Sequence, residues 1–284
     1  MRLETRKRLR MIVTYLVCIS ILVITLFPIY WMVLVSMRNR VEIFESTPKL
    51  YQTSFFTENY TKPFIDGVYG RYLWNSVVIA TCNSLIVTAF AVLATYSFSR
   101  FPIHGYHHVF FWTITNRMAP PAAFLLPLYL LFNAIGKTIG VQMIDSRWGL
   151  VLLYCVFNLP FAIWLLKGMI DAIPKALDEA ALIDGAGTWQ VLWYIIIPTA
   201  KPGIAIAAIL TWIFSWNEYI FASILTSVNA RTITTGLAGF VTVVGVEWGQ
   251  MAAVSVVSLL PAIVFLGYIQ KYIVAGLTFG AVKE

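Results

Sequence analysis

The apolar residues of the chain fall into six long runs separated by short polar stretches. Each run supplies the ~20 residues that a helix needs to cross about 30 Å of hydrocarbon. The predicted spans lie near residues 11–36, 73–98, 108–133, 148–170, 202–226 and 250–274. Because backbone N–H and C=O groups must be bonded internally in lipid, each span is expected to be helical. The pattern predicts an all-α integral membrane protein with six transmembrane helices.

Basic residues at the amino terminus predict the orientation of the spans. Five of the first ten residues are basic: Arg2, Arg6, Lys7, Arg8 and Arg10. Since Lys and Arg concentrate in cytoplasmic segments, residues 1–10 are expected in the cytoplasm, and six spans return the carboxyl terminus to that side. The expected division is a basic cytoplasmic terminus at 1–10, a membrane domain at 11–275 and a cytoplasmic tail at 276–284. The first apolar run is too long for a secretory signal and is expected to remain as an anchor.

Composition excludes a water-soluble fold of this size. Of the 284 residues, 60% are hydrophobic and 12% are charged, against about 25% charged in ordinary soluble domains. The net charge of +7 suits contact with anionic membrane lipid and requires no nucleic-acid partner. Cys18, Cys82 and Cys155 lie in apolar runs without paired spacing. Neither a disulfide framework nor a cysteine metal site is therefore expected.

The third span is expected to be bent or broken. It contains Pro120, Pro121 and Pro127, and proline removes a helical hydrogen bond and clashes with the preceding turn. A break at that depth either lines a cavity or is a packing kink with no further role.

Several polar residues lie inside the predicted spans, where polar groups are costly and commonly mark a transport path. These candidates for a substrate pathway are Asn116, Arg117, Asn158, Trp216, Asn217 and Glu218. An indole beside amides and a carboxylate suits a hydroxyl-rich solute, which offers both donors and acceptors. The alternative is that Arg117 and Glu218 pair with each other or with neighbouring subunits and never contact a solute.

The longest predicted cytoplasmic loop, residues 171–201, is expected to form two short helices. Pro174 is placed in the first turn of the first helix, and Gly185 stops it. Ala176, Leu177, Ala180 and Ala181 are expected on one stripe, and Lys175, Asp178 and Glu179 on another. Thr188 is predicted to cap the second helix, and Pro198 to end it.

One segment of this loop resembles a known signature. The sequence EAALIDG at 179–185 is followed after nine residues by IIIP at 195–198. It resembles the EAA motif of binding-protein-dependent ABC importer permeases, with Ile197 where leucine is usual. Further stretches resemble the MalG-like branch of carbohydrate permeases: PP at 120–121, LPLY at 126–129, WNE at 216–218 and GLTFGAVK at 276–283.

The resemblance implies a type I ABC importer permease fold in the bacterial inner (plasma) membrane, importing a sugar or a polyol such as glycerol. It implies that the loop 171–201 couples the chain to a cytoplasmic ATPase. The residues implied in coupling are Glu179, Ala180, Ala181, Asp184 and Gly185. Glu179 would contact a basic side chain of the ATPase, and Gly185 would set the turn.

The resemblance also implies partners. They are a second homologous permease subunit, two cytoplasmic ATPase subunits and an extracytoplasmic solute-binding protein that contacts the outer loop 227–249. No catalytic residue, cofactor or metal is expected in this chain, because ATP and Mg would be bound by the ATPase subunits. The sequence GKT at 136–138 resembles the end of a P-loop, but Leu131 stands where its first glycine is required.

Two other functional classes compete with this interpretation. An ion-gradient-driven secondary transporter would use Arg117 and Glu218 as a charge relay, but it leaves the EAA motif unexplained. A membrane di-iron enzyme would use the histidine box at 104–108, but such centres need several boxes and the chain has three histidines.

Overall fold

The computed structural model describes residues 2–47, 49–52, 54–116, 120–243 and 245–279. Within these ranges lie thirteen α-helices, one π-helical turn and one short hairpin. The helices are α1 (Arg2–Ser36), α2 (Arg40–Ile43), α3 (Glu58–Phe64), α4 (Tyr69–Arg100), α5 (Tyr106–Asn116), α6 (Pro121–Ile139), α7 (Arg147–Asp171), α8 (Lys175–Ile183), α9 (Thr188–Val191), α10 (Ile197–Trp216), α11 (Ile220–Leu225), α12 (Ile233–Ala238) and α13 (Trp248–Phe279). The π-helical turn covers Leu192–Ile196, and the strands are β1 (Val241–Thr242) and β2 (Gly245–Val246).

The chain divides into two compact units. The first comprises residues 1–70 and 237–259, and the second comprises residues 71–236 and 260–284. In the first unit, the amide of the buried Asn59 holds the end of α1 by donating to the carbonyl oxygens of Ser36 (3.0 Å) and Arg38 (2.7 Å). The strands β1 and β2 form an antiparallel hairpin, in which Val241 pairs with Val246.

The core of the second unit lies where α4, α7 and α10 pack together. Ala91, Ala162, Leu166 and Ala207 are fully buried there, in one cluster. Small residues let helix backbones approach closely in a membrane, where dispersion contacts replace the hydrophobic effect as the source of association. A second buried cluster joins α4 and α7 to α11, around Phe221.

Six described helices are long and apolar enough to cross a membrane, as predicted. They are Lys7–Ser36, Tyr69–Arg100, Pro121–Ile139, Arg147–Asp171, Thr188–Trp216 and Trp248–Tyr268. The first, second, fourth and sixth lie close to the predicted bounds. The helix of the sixth span continues to Phe279, into the predicted tail.

The third span is broken, as its prolines predicted, but its bounds differ from the predicted 108–133. Helix α5 ends at Asn116 and α6 begins at Pro121, with Pro120 extended between them (φ −65°, ψ 123°). A proline in the first helical position lacks only an N–H that would have no partner there, so α6 starts cleanly and continues through Pro127. The spanning helix is therefore Pro121–Ile139.

The predictions for Thr188 and Pro198 are wrong. Gly187 is the N-cap, and Thr188 is the first residue of a helix that continues past Pro198. The preceding π-helical turn, in which the N–H of Ile197 bonds to Leu192, explains this. A wider turn moves the preceding carbonyls away from the proline ring, which would otherwise clash with them.

The fifth span consequently starts earlier and ends earlier than the predicted 202–226. It covers Thr188–Trp216, after which the chain turns at Asn217 and resumes in the separate helix α11.

Candidate functional site

The predicted coupling segment contains the nine-residue helix α8, which ends in a glycine turn. Pro174 stands just before the helix as its N-cap and not within its first turn. The exposed Asp184 follows the helix as C-cap, and its N–H bonds to Ala180 (3.0 Å). Gly185 has a left-handed φ of +86°, a conformation that side chains with a Cβ disfavour. The segment is therefore a short rigid helix with a fixed stop.

The faces of α8 differ from the predicted stripes. Glu179 and Ala180 are exposed, and Ile183 is 86% exposed. Asp178 is buried, and Ala181 is half-buried against the apolar cluster of α4, α7 and α10. The helix therefore leaves the carboxylate of Glu179 exposed and turns that of Asp178 inward.

Sequence reasoning missed the partner of the inward carboxylate. Asp178 forms an ion pair with Arg100, the last residue of α4, through the guanidinium Nε. The side chains of Arg100 and Asp178 are 7% and 12% exposed. Nη2 of the same guanidinium donates to the carbonyl oxygen of Ile173, just before α8 (3.0 Å).

The predicted substrate pathway residues fall partly around one cavity in the second unit. The cavity has a volume of about 320 Å³. Its lining has a polar group, Asn158, Asn217 and Glu218, and an aromatic group, Tyr154, Phe157, Phe214 and Phe221, with Pro121 of α6 beside them. Aromatic faces beside amides and a carboxylate can stack on and hydrogen-bond a hydroxylated solute.

Asn158 also belongs to a buried hydrogen-bond network that the sequence did not reveal. Its Nδ2 donates to Asn83 (2.9 Å) and to Ser215 (3.1 Å), and the Ser215 hydroxyl donates to Asn83 (2.8 Å). The amide of Asn83 in turn donates to the carbonyl oxygen of Val151 (3.0 Å). The network ties α4, α7 and α10 together beside the cavity that Asn158 lines.

The neighbouring residues 216–218 have different surroundings. Trp216 is 9% exposed and stacks on Trp212 with ring centroids 4.8 Å apart, and it does not lie among the described residues that line the cavity. Asn217 donates to the carbonyl oxygen of Ile213 (2.9 Å). One carboxylate oxygen of Glu218 accepts the N–H of Phe221 (3.1 Å) and so caps α11.

One predicted pathway residue lies at the break of the third span. Asn116 is the last residue of α5. Arg117 lies outside the described residues, so its pairing with Glu218 stays a prediction.

A carboxylate outside the predicted spanning helices organises the loop between α11 and α12. Asp145 has a positive φ of 53°, and its side chain accepts the backbone N–H groups of Ser227, Val228, Asn229 and Ala230 at 2.9–3.2 Å. Burial alone would raise the pKa of Asp145, but these donors outweigh it and lower the pKa to about 2. This carboxylate fixes part of the predicted outer loop 227–249, and no sequence signal pointed to it.

Comparison with known proteins gives concordant matches. Residues 105–278 match the family described as "Binding-protein-dependent transport system inner membrane component". The chain is 33% identical over 287 residues to the trehalose/maltose transport system permease protein MalG of Thermococcus litoralis, covering 100% of this chain and 99% of the relative. It is 32% identical over 275 residues to the trehalose transport system permease protein SugB of Mycobacterium tuberculosis, covering 95% and 97%.

The fold also matches a solved structure. A chain of a bacterial ABC transporter that imports the acidic polysaccharide alginate superposes with a TM-score of 0.75 at 22% identity, covering 94% of this chain and 97% of that one. At that identity the likeness concerns the fold alone.

Proposed function

Because the chain belongs to the family of binding-protein-dependent transport system inner membrane components, we propose that it forms half of the path for a sugar or polyol and is driven through α8 by a cytoplasmic ATPase. Membership confirms the resemblance carried by the EAA motif. The chain is a multi-pass inner-membrane permease subunit of an ABC importer and not an enzyme. The ion-gradient alternative is not favoured.

One observation carries the coupling role. Glu179 and Ala180 are exposed on a short helix whose other face is held against the membrane-helix core. An exposed carboxylate beside a small residue lets an arginine fork approach closely, and a rigid helix transmits displacement that a flexible loop would absorb. Glu179 is the proposed contact of the ATPase, with Ala181, Asp184 and Gly185 shaping the docking element. ATP and Mg are bound by the ATPase subunits in this proposal.

The proposed complex contains this chain, a second permease subunit, two ATPase subunits and an extracytoplasmic solute-binding protein. Both termini and α8 face the cytoplasm, as the basic residues 1–10 favour. The loop held by Asp145 then lies outside, where it faces the solute-binding protein. Lipid surrounds the six spanning helices.

The proposed solute is a carbohydrate or polyol. Support comes from the cavity beside Asn158, Asn217 and Glu218, whose mixed aromatic and polar lining suits hydroxyl groups and the C–H faces between them. Two relatives are named for trehalose, and one of them also for maltose, which makes these two sugars suitable first probes. Glycerol serves as the probe for a polyol.

The coupling role is tested with Glu179→Arg in the assembled complex in proteoliposomes. The substitution should leave membrane insertion intact and abolish solute-stimulated ATP hydrolysis, because a like charge would meet the basic side chain of the ATPase. Glu45→Arg is the matched control, since Glu45 is an exposed glutamate paired with Lys49 in the first unit. Normal coupled hydrolysis in Glu179→Arg would refute the docking role.

The energy source is tested by uptake with ATP depleted and the ion gradient maintained. Uptake should stop, and persistent uptake would favour the secondary transporter.

The cavity is tested with Glu218→Gln and Glu218→Ala. Both remove the charge, but Gln keeps an oxygen that can accept the N–H of Phe221, so it separates loss of solute contact from loss of the cap. Uptake by both variants should fall more than the purified yield. Parallel loss of yield and uptake would favour a structural role.

A further inference from the structure

The buried ion pair between Arg100 and Asp178 joins two elements that are distant in the chain. Arg100 ends α4, a membrane-spanning helix, and Asp178 lies in the first turn of α8. The charges suit their positions, since a cation is favoured at the carboxyl end of a helix and an anion at the amino end. The pair is therefore stabilised from both helices.

The guanidinium contacts α8 and the segment before it at once. Nε contacts Oδ2 of Asp178, while Nη2 donates to the carbonyl oxygen of Ile173 (3.0 Å). Two donors of a planar fork fix orientation as well as distance. A lysine would keep the charge but could not hold both acceptors in this geometry.

The surroundings of the pair are largely apolar and packed, and the carboxylate of Asp171 at the end of α7 also acts on Arg100. Tyr96 of α4, Ile173 and Val191 are buried in one apolar cluster, and Ala181 of α8 packs against it. Oδ1 of Asp178 is buried without a hydrogen-bond partner among the described residues, so a single carboxylate oxygen makes the contact with α4. Breaking one partner of a buried pair leaves the other charge uncompensated.

We propose that Arg100 and Asp178 are positioning residues of the coupling machinery, which make α8 and the end of α4 move as one body. A displacement that the ATPase applies to Glu179 is then transmitted to α4 as well as to the helices joined to α8 by the backbone. The inference rests on the proposed function, because it assumes that an ATPase displaces α8. It assigns the inward carboxylate of Asp178, just before the motif, to transmission and the outward carboxylate of Glu179 to docking.

The test uses Asp178→Asn and Arg100→Lys in the complete complex in proteoliposomes. The ATPase should still dock through Glu179, so nucleotide hydrolysis should persist while solute moved per ATP falls about tenfold in Asp178→Asn and less in Arg100→Lys. The matched control is Glu58→Gln, which breaks the Lys62–Glu58 pair (2.5 Å) within the single helix α3. The control should keep the transport ratio of the parent.

A distance measurement separates transmission from simple stability. Spin labels are placed at two exposed positions, Leu93→Cys on α4 and Ile183→Cys on α8. The exposed Cys18 is replaced by serine so that it is not labelled. The distance between the labels reports whether the two helices move together when nucleotide binds. The distance between the labels should stay constant in the parent and should shift or broaden in Asp178→Asn.

The outcomes are distinguishable. An unchanged ratio of solute to ATP in Asp178→Asn, with only yield and melting temperature lowered, would make the pair merely structural and overturn the inference. A distance that changes with nucleotide in the parent would overturn it as well. Normal coupling in Glu179→Arg would instead remove the proposed function on which the inference stands.

Discussion

The hydrogen bonds from four backbone N–H groups to the carboxylate of Asp145 predict a stability effect whose magnitude follows from the structure. We consider Asp145→Asn, because asparagine has nearly the same shape and tolerates the positive φ of 53°. It offers one amide oxygen in place of a carboxylate and points an NH₂ group at backbone N–H donors. The charge-assisted hydrogen bonds to the loop that begins at Ser227 should be lost.

The pKa of Asp145 gives the magnitude. It falls from 3.8 to about 2 on folding, and one pKa unit corresponds to about 1.4 kcal/mol. Since the carboxylate is partly exposed, solvent screening reduces the contribution to about 1–2 kcal/mol. A depressed pKa means that this stabilisation is fully present above the unfolded value near 4 and is lost as the pH falls through about 2.

Hydrogen exchange measured by mass spectrometry at neutral pH is a suitable assay. Peptides covering residues 226–231 should exchange about 5- to 30-fold faster in Asp145→Asn, as about 1–2 kcal/mol of local opening free energy requires. Asp184→Asn is the control, because it makes the same change at an exposed aspartate beside α8 and should leave these peptides unaffected. Exchange within twofold of the parent would refute the argument that the four amides depend on this charge.

Other substitutions test local features of the fold and the coupling turn. Gly185→Val should preserve membrane insertion and abolish solute-stimulated ATP hydrolysis, because its φ of +86° excludes a β-branched residue, whereas Gly185→Asn should remain coupled. Gly149→Ala should lower the melting temperature in detergent, since a Cβ there would lie 1.9 Å from the carbonyl oxygen of Met143, while Gly168→Ala meets nothing within 4 Å and should not. Asn83→Ala removes the common acceptor of the buried network and should lower the free energy of unfolding by about 1–2 kcal/mol. Uptake per folded molecule should stay close to that of the parent.

The sequence predicts the spanning helices well because their signal is local. An apolar run and its flanking charges report the solvent around each segment, and no knowledge of tertiary contacts is needed. The break before Pro121 is local in the same sense, because a proline disfavours the helical conformation in the residue before it, and that residue, Pro120, is extended.

The errors occur where a local signal depends on its surroundings. Pro198 predicts the end of a helix, but a π-helical turn before it makes room for the ring. The anchoring of residues 227–230 by Asp145 joins segments 82–85 residues apart, so no short window of sequence contains both.

The adjacent acids of α8 show how part of the missing information could be recovered. Consecutive residues of an α-helix point about 100° apart, whereas residues three apart share a face. Asp178 therefore lies on the face of Ala181 and away from Glu179, so if the alanine packs inward the aspartate is buried. A buried carboxylate needs a cation, and Arg100 lies at the end of a neighbouring spanning helix. The two adjacent acids of α8 thus have different surroundings, since Asp178 is held inside while Glu179 stays exposed.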